Sequence, residues 1–174
     1  MIHGKMPSNT TPILNALIRI NHAMQIWVDA DACPRVIKDI LFRAAKRAEV
    51  MTLFVANQPL NLPKSPWLRS ILVPEGFDVA DDYIVAHLDS GDLVVTADIP
   101  LAAEAIEQGA ECINPRGEHY TKANIKQRLT MRNLMEELRS TGEVHGGPPS
   151  FNQKDRQAFA NVLDRLLTKA VNRP

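Results

Sequence analysis

Asp29-x-Asp31, the trio Asp78, Asp81 and Asp82, and Asp98 are the residues whose type and spacing carry the most chemistry in this chain. Each group follows an apolar stretch. Ile26-Trp27-Val28 breaks off into Asp29-Ala30-Asp31, Ser70 to Val73 leads towards Asp78, and Val94-Val95-Thr96-Ala97 runs into Asp98. A β-rich apolar run seeks burial, so acids placed directly after it stand at the rim of a core, where a ligand can reach them.

Asp78, Asp81 and Asp82 stand at i, i+3 and i+4, on one side of a helix. Two carboxylates about 4 Å apart repel by roughly 4 kcal/mol at an effective dielectric of about 20, part of which proton uptake or separation relieves. A helix N-terminus offsets only about 0.3 to 1 kcal/mol per charge. A divalent cation would offset more. Hard oxygen donors without a Cys or His cluster point to Mg²⁺ or Mn²⁺ rather than zinc. The expected ligands are Asp29, Asp78, Asp81, Asp82 and Asp98, with Asp29, Asp31, Asp82 and Asp98 as the catalytic carboxylates. Each also has a plainer reading. Asp78, Asp31 and Asp98 stand where they would cap helices, and Asp82 where it would be a solvated charge. Thr96, Arg35, Arg116 and His119 are candidate contacts to phosphate or substrate.

The elements that must position these groups follow from hydrophobic period. Strands are expected at Gln25 to Asp29, Met51 to Ala56, Ser70 to Val73, Leu93 to Thr96 and Glu111 to Ile113. Helices are expected from about Pro34 to Glu49, Asp78 to Leu88 and Pro100 to Gln108, then Asn124 to Ser140 and Asn152 to Thr168. Asn57 to Pro66, Asn114 to Gly117 and Gly142 to Ser150 read as loops or turns. Strands alternating with helices imply a mainly parallel α/β sheet of about five strands between two helical layers, with C-terminal helices added from about residue 124. In such a sheet ligands bind outside the carboxyl ends of the strands, where the winding reverses. If the first and fourth strands are neighbours there, Asp29 and Asp98 face one crevice.

The 174 residues suffice for one core, expected over residues 24–170, with residues 1–23 an extension or an upstream start. Twenty basic and twenty acidic residues cancel, so net charge gives no support for indiscriminate binding to nucleic acid or membrane. Their distribution is uneven. No Lys or Arg lies between Arg69 and Arg116, whereas Arg35, Lys38, Arg43, Lys46 and Arg47 precede that block and Lys122, Lys126, Arg128, Arg132 and Arg139 follow it. Acids flanked by bases suit a metal site acting on phosphates as well as they suit ordinary solvated helix faces. Cys33 and Cys112 form no disulfide or zinc framework, and Cys33 is expected to be a packed thiol. A reducing cytoplasm is the expected location, since no apolar run reaches the length of a membrane span and residues 1–23 lack a signal peptide's apolar region. His87, on the helix side shared with Ala80 and Ile84, is expected to be packed or partly buried, while His119 and His145 fall in loops.

The blocks IWVDADACP, GFDVADDYIVAHLDSGDLVVTADIPLA, NPRGEHYT and GGPPSFNQKDRQAF, in this order from Met24 to the last helix, resemble the bacterial YaiI/YqxD family. That family is in turn similar to PIN-like and NYN nuclease domains, which hydrolyse phosphodiesters with strand-end carboxylates and Mg²⁺ or Mn²⁺. The resemblance implies that Asp29 is the acid ending the first strand, Asp98 the acid of the later turn, and Asp78 or Asp82 the helix-borne acid, with Asp31 and Asp81 as auxiliaries and RNA as the partner. The helix-borne acids here are Asp where many PIN domains carry Glu. Two other readings stay open at this level. Asp29-Ala30-Asp31 also matches the Asp-x-Asp of haloacid-dehalogenase-type phosphatases, with Asp29 as nucleophile, although no convincing downstream partner motif follows. A non-catalytic RNA- or protein-binding module on a nuclease-like scaffold is the other.

Overall fold

A computed structural model describes residues 23–172, and the expected extension lies outside them apart from Ala23. Strands β1 (Ile26–Asp29), β2 (Thr52–Ala56), β3 (Leu68–Leu72), β4 (Leu93–Val95), β5 (Glu111–Ile113) and β6 (His119–Tyr120) form one sheet. Its spatial order is β3-β2-β1-β4-β5-β6, parallel throughout except for the antiparallel pair β5–β6. Helices α1 (Arg35–Ala48), α2 (Val79–His87), α3 (Ile99–Glu107), α4 (Ile125–Ser140) and α5 (Gln153–Val171) complete the chain. The expected α/β architecture, with helices on both faces of a mainly parallel sheet and C-terminal helices added to it, is the one found. Among the described residues no helix is long and apolar enough to cross a membrane.

The side-chain alternation of strands sorts the core into two halves. Ile26 and Val28 of β1, Phe54 and Ala56 of β2, and Leu93 and Val95 of β4 face α1 and α5, where they meet Ile37, Leu41, Phe159 and Leu163. Trp27, Leu53, Val55 and Val94 point the other way, towards Ile84 of α2, Leu101 and Ala105 of α3, and Ile125 of α4. Each large apolar side chain so buried stabilises the fold by about 1.5–3 kcal/mol relative to exposure. Asp29 and Thr96 share the parity of Trp27 and Val94, so alternation directs both to the α2–α3 side.

The central pair β1–β4 registers Ile26 with Leu93, Trp27 with Val94 and Val28 with Val95. At the amino edge of the sheet, Asp92 holds this pair together. Its carboxylate, in a residue only 1% exposed, accepts the Trp27 Nε1–H (3.0 Å), the Gln25 N–H (3.0 Å) and the Asp89 N–H (2.9 Å). Within the acidic block of the sequence, Asp92 is thus a structural anchor rather than a surface charge.

The sheet has six strands rather than about five. His119–Tyr120 is too short to show an alternating pattern, and only pairing with Cys112 and Ile113 makes it a strand. Its hairpin turn is latched to α5. Arg116 donates from Nη1 to Asp155 Oδ2 (2.9 Å) and from Nη2 to the Pro149 carbonyl, while Asn152 and Asp155 close a capping box at the start of α5. Gly117, at φ +86°, lets the turn approach α5 so closely that a Cβ there would lie 2.5 Å from the Ala158 carbonyl carbon.

Replacing Asp92 with Ala strands the buried indole N–H of Trp27 and frees two backbone donors. The expected loss is at least about 2 kcal/mol of stability, with a red shift of Trp27 emission. Asp92→Asn, which keeps an acceptor, should lose less. Equal stability of Asp92→Ala and wild type in a urea titration would refute the anchor.

Candidate active site

The crevice lies where the winding reverses, between the loops leaving β1 and β4. Asp29 ends β1, and its Oδ2 accepts the Thr96 Oγ1–H at 3.0 Å. The same Thr96 oxygen accepts the Asp98 N–H at 3.0 Å, so the hydroxyl proton is committed to Asp29 and the two acids are tied through one side chain. Asp98 Oδ1 in turn accepts the Leu101 N–H at 3.0 Å, capping α3. The cap and the proximity to Asp29 are therefore both real, and the cap fixes one oxygen of Asp98 while its second oxygen is not used by it.

From the opposite wall, α2 contributes Asp81. Its carboxyl is pushed from an ordinary 3.8 up to about 7, first by burial, then by the charges of Asp98 and Asp29, by a hydrogen bond to Asp98, and by Asp78. Asp29 is raised too, by burial first; the Thr96 hydrogen bond opposes that rise, and Asp98 and Asp31 add to it. Three carboxylates from β1, α2 and the β4–α3 turn thus feel one another across the crevice.

The fates of the other candidates differ. Asp78 is the N-cap residue of α2 in a left-handed conformation (φ 60°), but its side chain makes no capping hydrogen bond. Asp82 is exposed, and the helix-borne acid in reach of Asp98 is Asp81 rather than Asp78 or Asp82. Asp31 does not cap α1; its Oδ2 accepts the Asn57 N–H at 2.9 Å and anchors the loop after β2. Arg35 opens α1 and is exposed. Arg116 is engaged by Asp155 and Pro149 and lies over the Phe151 ring, 5.9 Å from its centre. His119 lies away from the crevice, its Nε2 2.8 Å from Glu111 Oε2 at the amino edge, where Lys169 also reaches Glu111. His145 is exposed in the loop after α4. His87 is not packed as its helical position implied: it is exposed, with its ring stacked on Tyr83 at 4.0 Å. Cys33 is buried, and burial pushes its thiol up to about 12, which makes it a poor nucleophile.

All the donors at this corner are hard oxygens, the set that suits Mg²⁺ or Mn²⁺. Among the described residues no three His, Cys, Asp or Glu are already gathered as a ligand shell. Mg²⁺ needs no such cage, because it keeps several waters and takes one or two carboxylates together with substrate phosphate. Burial comes first in raising Asp29 and Asp81, and a cation there would offset the part of the rise that comes from neighbouring charge, so the chemistry of these donors is compatible with such an ion. Asp29, Asp81 and Asp98 are those that would hold it.

A doubly wound α/β protein with mutually repelling carboxylates over its switch point is the class that fold and site define. The family model described as "Uncharacterized BCR, YaiI/YqxD family" matches residues 27–169, and the chain belongs to that family. It is 64% identical over 146 residues to a UPF0178 protein of Dechloromonas aromatica, covering 84% of this chain and 97% of that relative. A UPF0178 protein of Hahella chejuensis is 61% identical over 146 residues, with the same two shares. No solved structure matches the chain.

The charge crowding has a sign. Asp81 titrates higher in the folded chain than in the unfolded one, so between about pH 4 and 7 the folded state holds the extra proton and its stability falls as pH rises. Asp81→Asn removes this loss. It should raise the melting temperature at pH 8 by about 2–4 °C, on the order of 1 kcal/mol once the residue's partial exposure is discounted. At pH 4 the variant should melt with wild type. An unchanged melting temperature at pH 8 would show that burial and the neighbouring acids do not raise Asp81.

Proposed function

We propose that this chain is a metal-dependent nuclease hydrolysing RNA phosphodiester bonds at the corner made by Asp29, Asp81 and Asp98. The observation that carries this reading is the convergence of acids from three separate elements on the switch-point crevice, with Thr96 tying Asp29 to Asp98, and Asp29 and Asp81 raised first by burial and then by neighbouring charge. Strained carboxylates at such a position cost stability, and that cost is characteristic of functional sites. The resemblance of the acidic blocks to PIN-like domains supports the same chemistry and supplies RNA as the substrate.

When bound at this corner, Mg²⁺ or Mn²⁺ would neutralise phosphate charge and make water a better nucleophile near neutral pH. The chain's own groups do the rest. Thr96 orients Asp29, so the carboxylate presents a defined oxygen to the crevice. The cap to Leu101 holds Asp98 in place without using its second oxygen. Asp81, raised by burial and by the neighbouring acids, would give up its proton as a cation enters.

Purified protein is expected to cleave single-stranded RNA with Mn²⁺ and to stop on chelation. Asp29→Asn and Asp98→Asn should each lower the rate at least about 100-fold, the scale of losing an electrostatic or metal-holding group. In the same variants the rise in melting temperature on adding Mn²⁺ should disappear. Cleavage by Asp29→Asn at the wild-type rate would sink the proposal.

A further inference from the structure

A second concavity lies on the α1 side of the sheet, between α1 and the loop after β2. It is a cleft of about 600 Å³ lined by Arg35, Lys38 and Phe42 of α1 and by Leu60 and Leu62 of the loop after β2, with Asp39 as its one acid. The volume falls in the range of small-ligand sites, about 300–1,000 Å³. One contact joins it to the acids. Asp31 Oδ2 holds the Asn57 N–H at the start of the loop that forms the cleft's far wall.

The lining has two characters. Among the described residues neither Arg35 nor Lys38 forms an ion pair. The first turn of α1 contains no acid and its amino end has no side-chain cap, which leaves backbone N–H groups and the positive end of the helix dipole beside these two cations. The opposite character comes from Phe42, Leu60 and Leu62, all only partly buried against the core, with the Phe42 ring held edge-on to Phe54 at 5.3 Å. The lining suits a ligand that joins an anionic group to an apolar body.

We propose that the cleft is a nucleotide subsite. It takes one unit of single-stranded nucleic acid next to the phosphate at the acid corner, with Arg35 and Lys38 on the backbone phosphate and Phe42, Leu60 and Leu62 against the base. This rests on the nuclease reading and extends it by naming where the flanking nucleotide sits. A single strand can splay a base into the cleft, whereas a duplex keeps its bases stacked inside. An acidic peptide without aromatic side chains would satisfy the cations but offers no flat apolar body to the other wall. Contact through backbone phosphate and an apolar face makes the subsite tolerant of base identity.

The test is fluorescence anisotropy with a 5′-fluorescein-labelled ten-nucleotide oligouridylate and the full chain, in chelator so that no cleavage occurs. The double variant Arg35→Gln/Lys38→Gln is expected to bind at least about tenfold more weakly and with a shallower salt dependence. Phe42→Leu, checked for folding by thermal melting, should weaken binding about threefold or more, as loss of a stacking face does. Arg165→Gln, which removes one charge on exposed α5 surface, should bind as wild type. Undiminished binding by the double variant, an equal loss in Arg165→Gln, or no binding by wild type would each overturn the subsite. So would a labelled oligoglutamate that binds as tightly and with the same dependence on Arg35 and Lys38. The two readings fail separately. Oligonucleotide binding that depends on Arg35 and Lys38 without any Mn²⁺-dependent cleavage overturns the nuclease and keeps the subsite. Cleavage whose KM is unchanged in the double variant overturns the subsite and keeps the nuclease.

Discussion

The pairing of β1 with β4 is the constraint on which the rest of the molecule depends. Both strands are short and lie in the middle of the sheet, and a carboxylate fastens each end of the pair. At the amino edge Asp92 of the β4 side accepts from Gln25 and Trp27 of the β1 side. At the carboxyl edge Asp29 of β1 accepts from Thr96, just beyond β4. Because the chain winds outward from this pair in both directions, the loops leaving β1 and β4 diverge to opposite faces of the sheet. The crevice between them is a consequence of topology before any side chain is considered.

The two fastening carboxylates show how environment divides one residue type into two roles. Asp92 is almost wholly buried but is served by three donors, which balances its loss of water. Asp29 has one hydroxyl donor and faces two further acids, so the opposing effects leave it raised. The same contrast separates the anchored amino edge from the strained carboxyl edge. A fold secured at one edge can tolerate unrelieved charge at the other, and such a division fits a scaffold with a working face.

The late sequence blocks acquire a different meaning in three dimensions. Arg116 and His119 are plausible phosphate contacts when only their types are known, but both are engaged elsewhere. Arg116 latches the hairpin turn to Asp155 and Pro149, Gly117 lets that turn close onto Ala158, and His119 joins Glu111 near Lys169. These contacts seat α5 across the sheet beside α1, so Phe159, Leu163 and Leu167 complete one half of the core. That half supports α1, whose exposed amino end carries Arg35 and Lys38.

Hydrophobic period by itself determined the alternation of strands and helices, the two-sided burial of the sheet and the placing of Asp29 and Asp98 after strands. These are local properties, written in which neighbours along the chain share a face. The tertiary structure alone decided that β1 lies beside β4, that His119–Tyr120 is a strand, and that Asp81, rather than Asp78 or Asp82, meets Asp98. Residues at i, i+3 and i+4 share one side of a helix, and spacing cannot rank them. Only the rotation of α2 as Ile84 and Val79 pack on the sheet does so. The fates of Arg116, His119 and Asp31 depend likewise on partners between 8 and 39 residues away in the chain. A side chain's chemistry is local, but its role depends on what the fold brings opposite it.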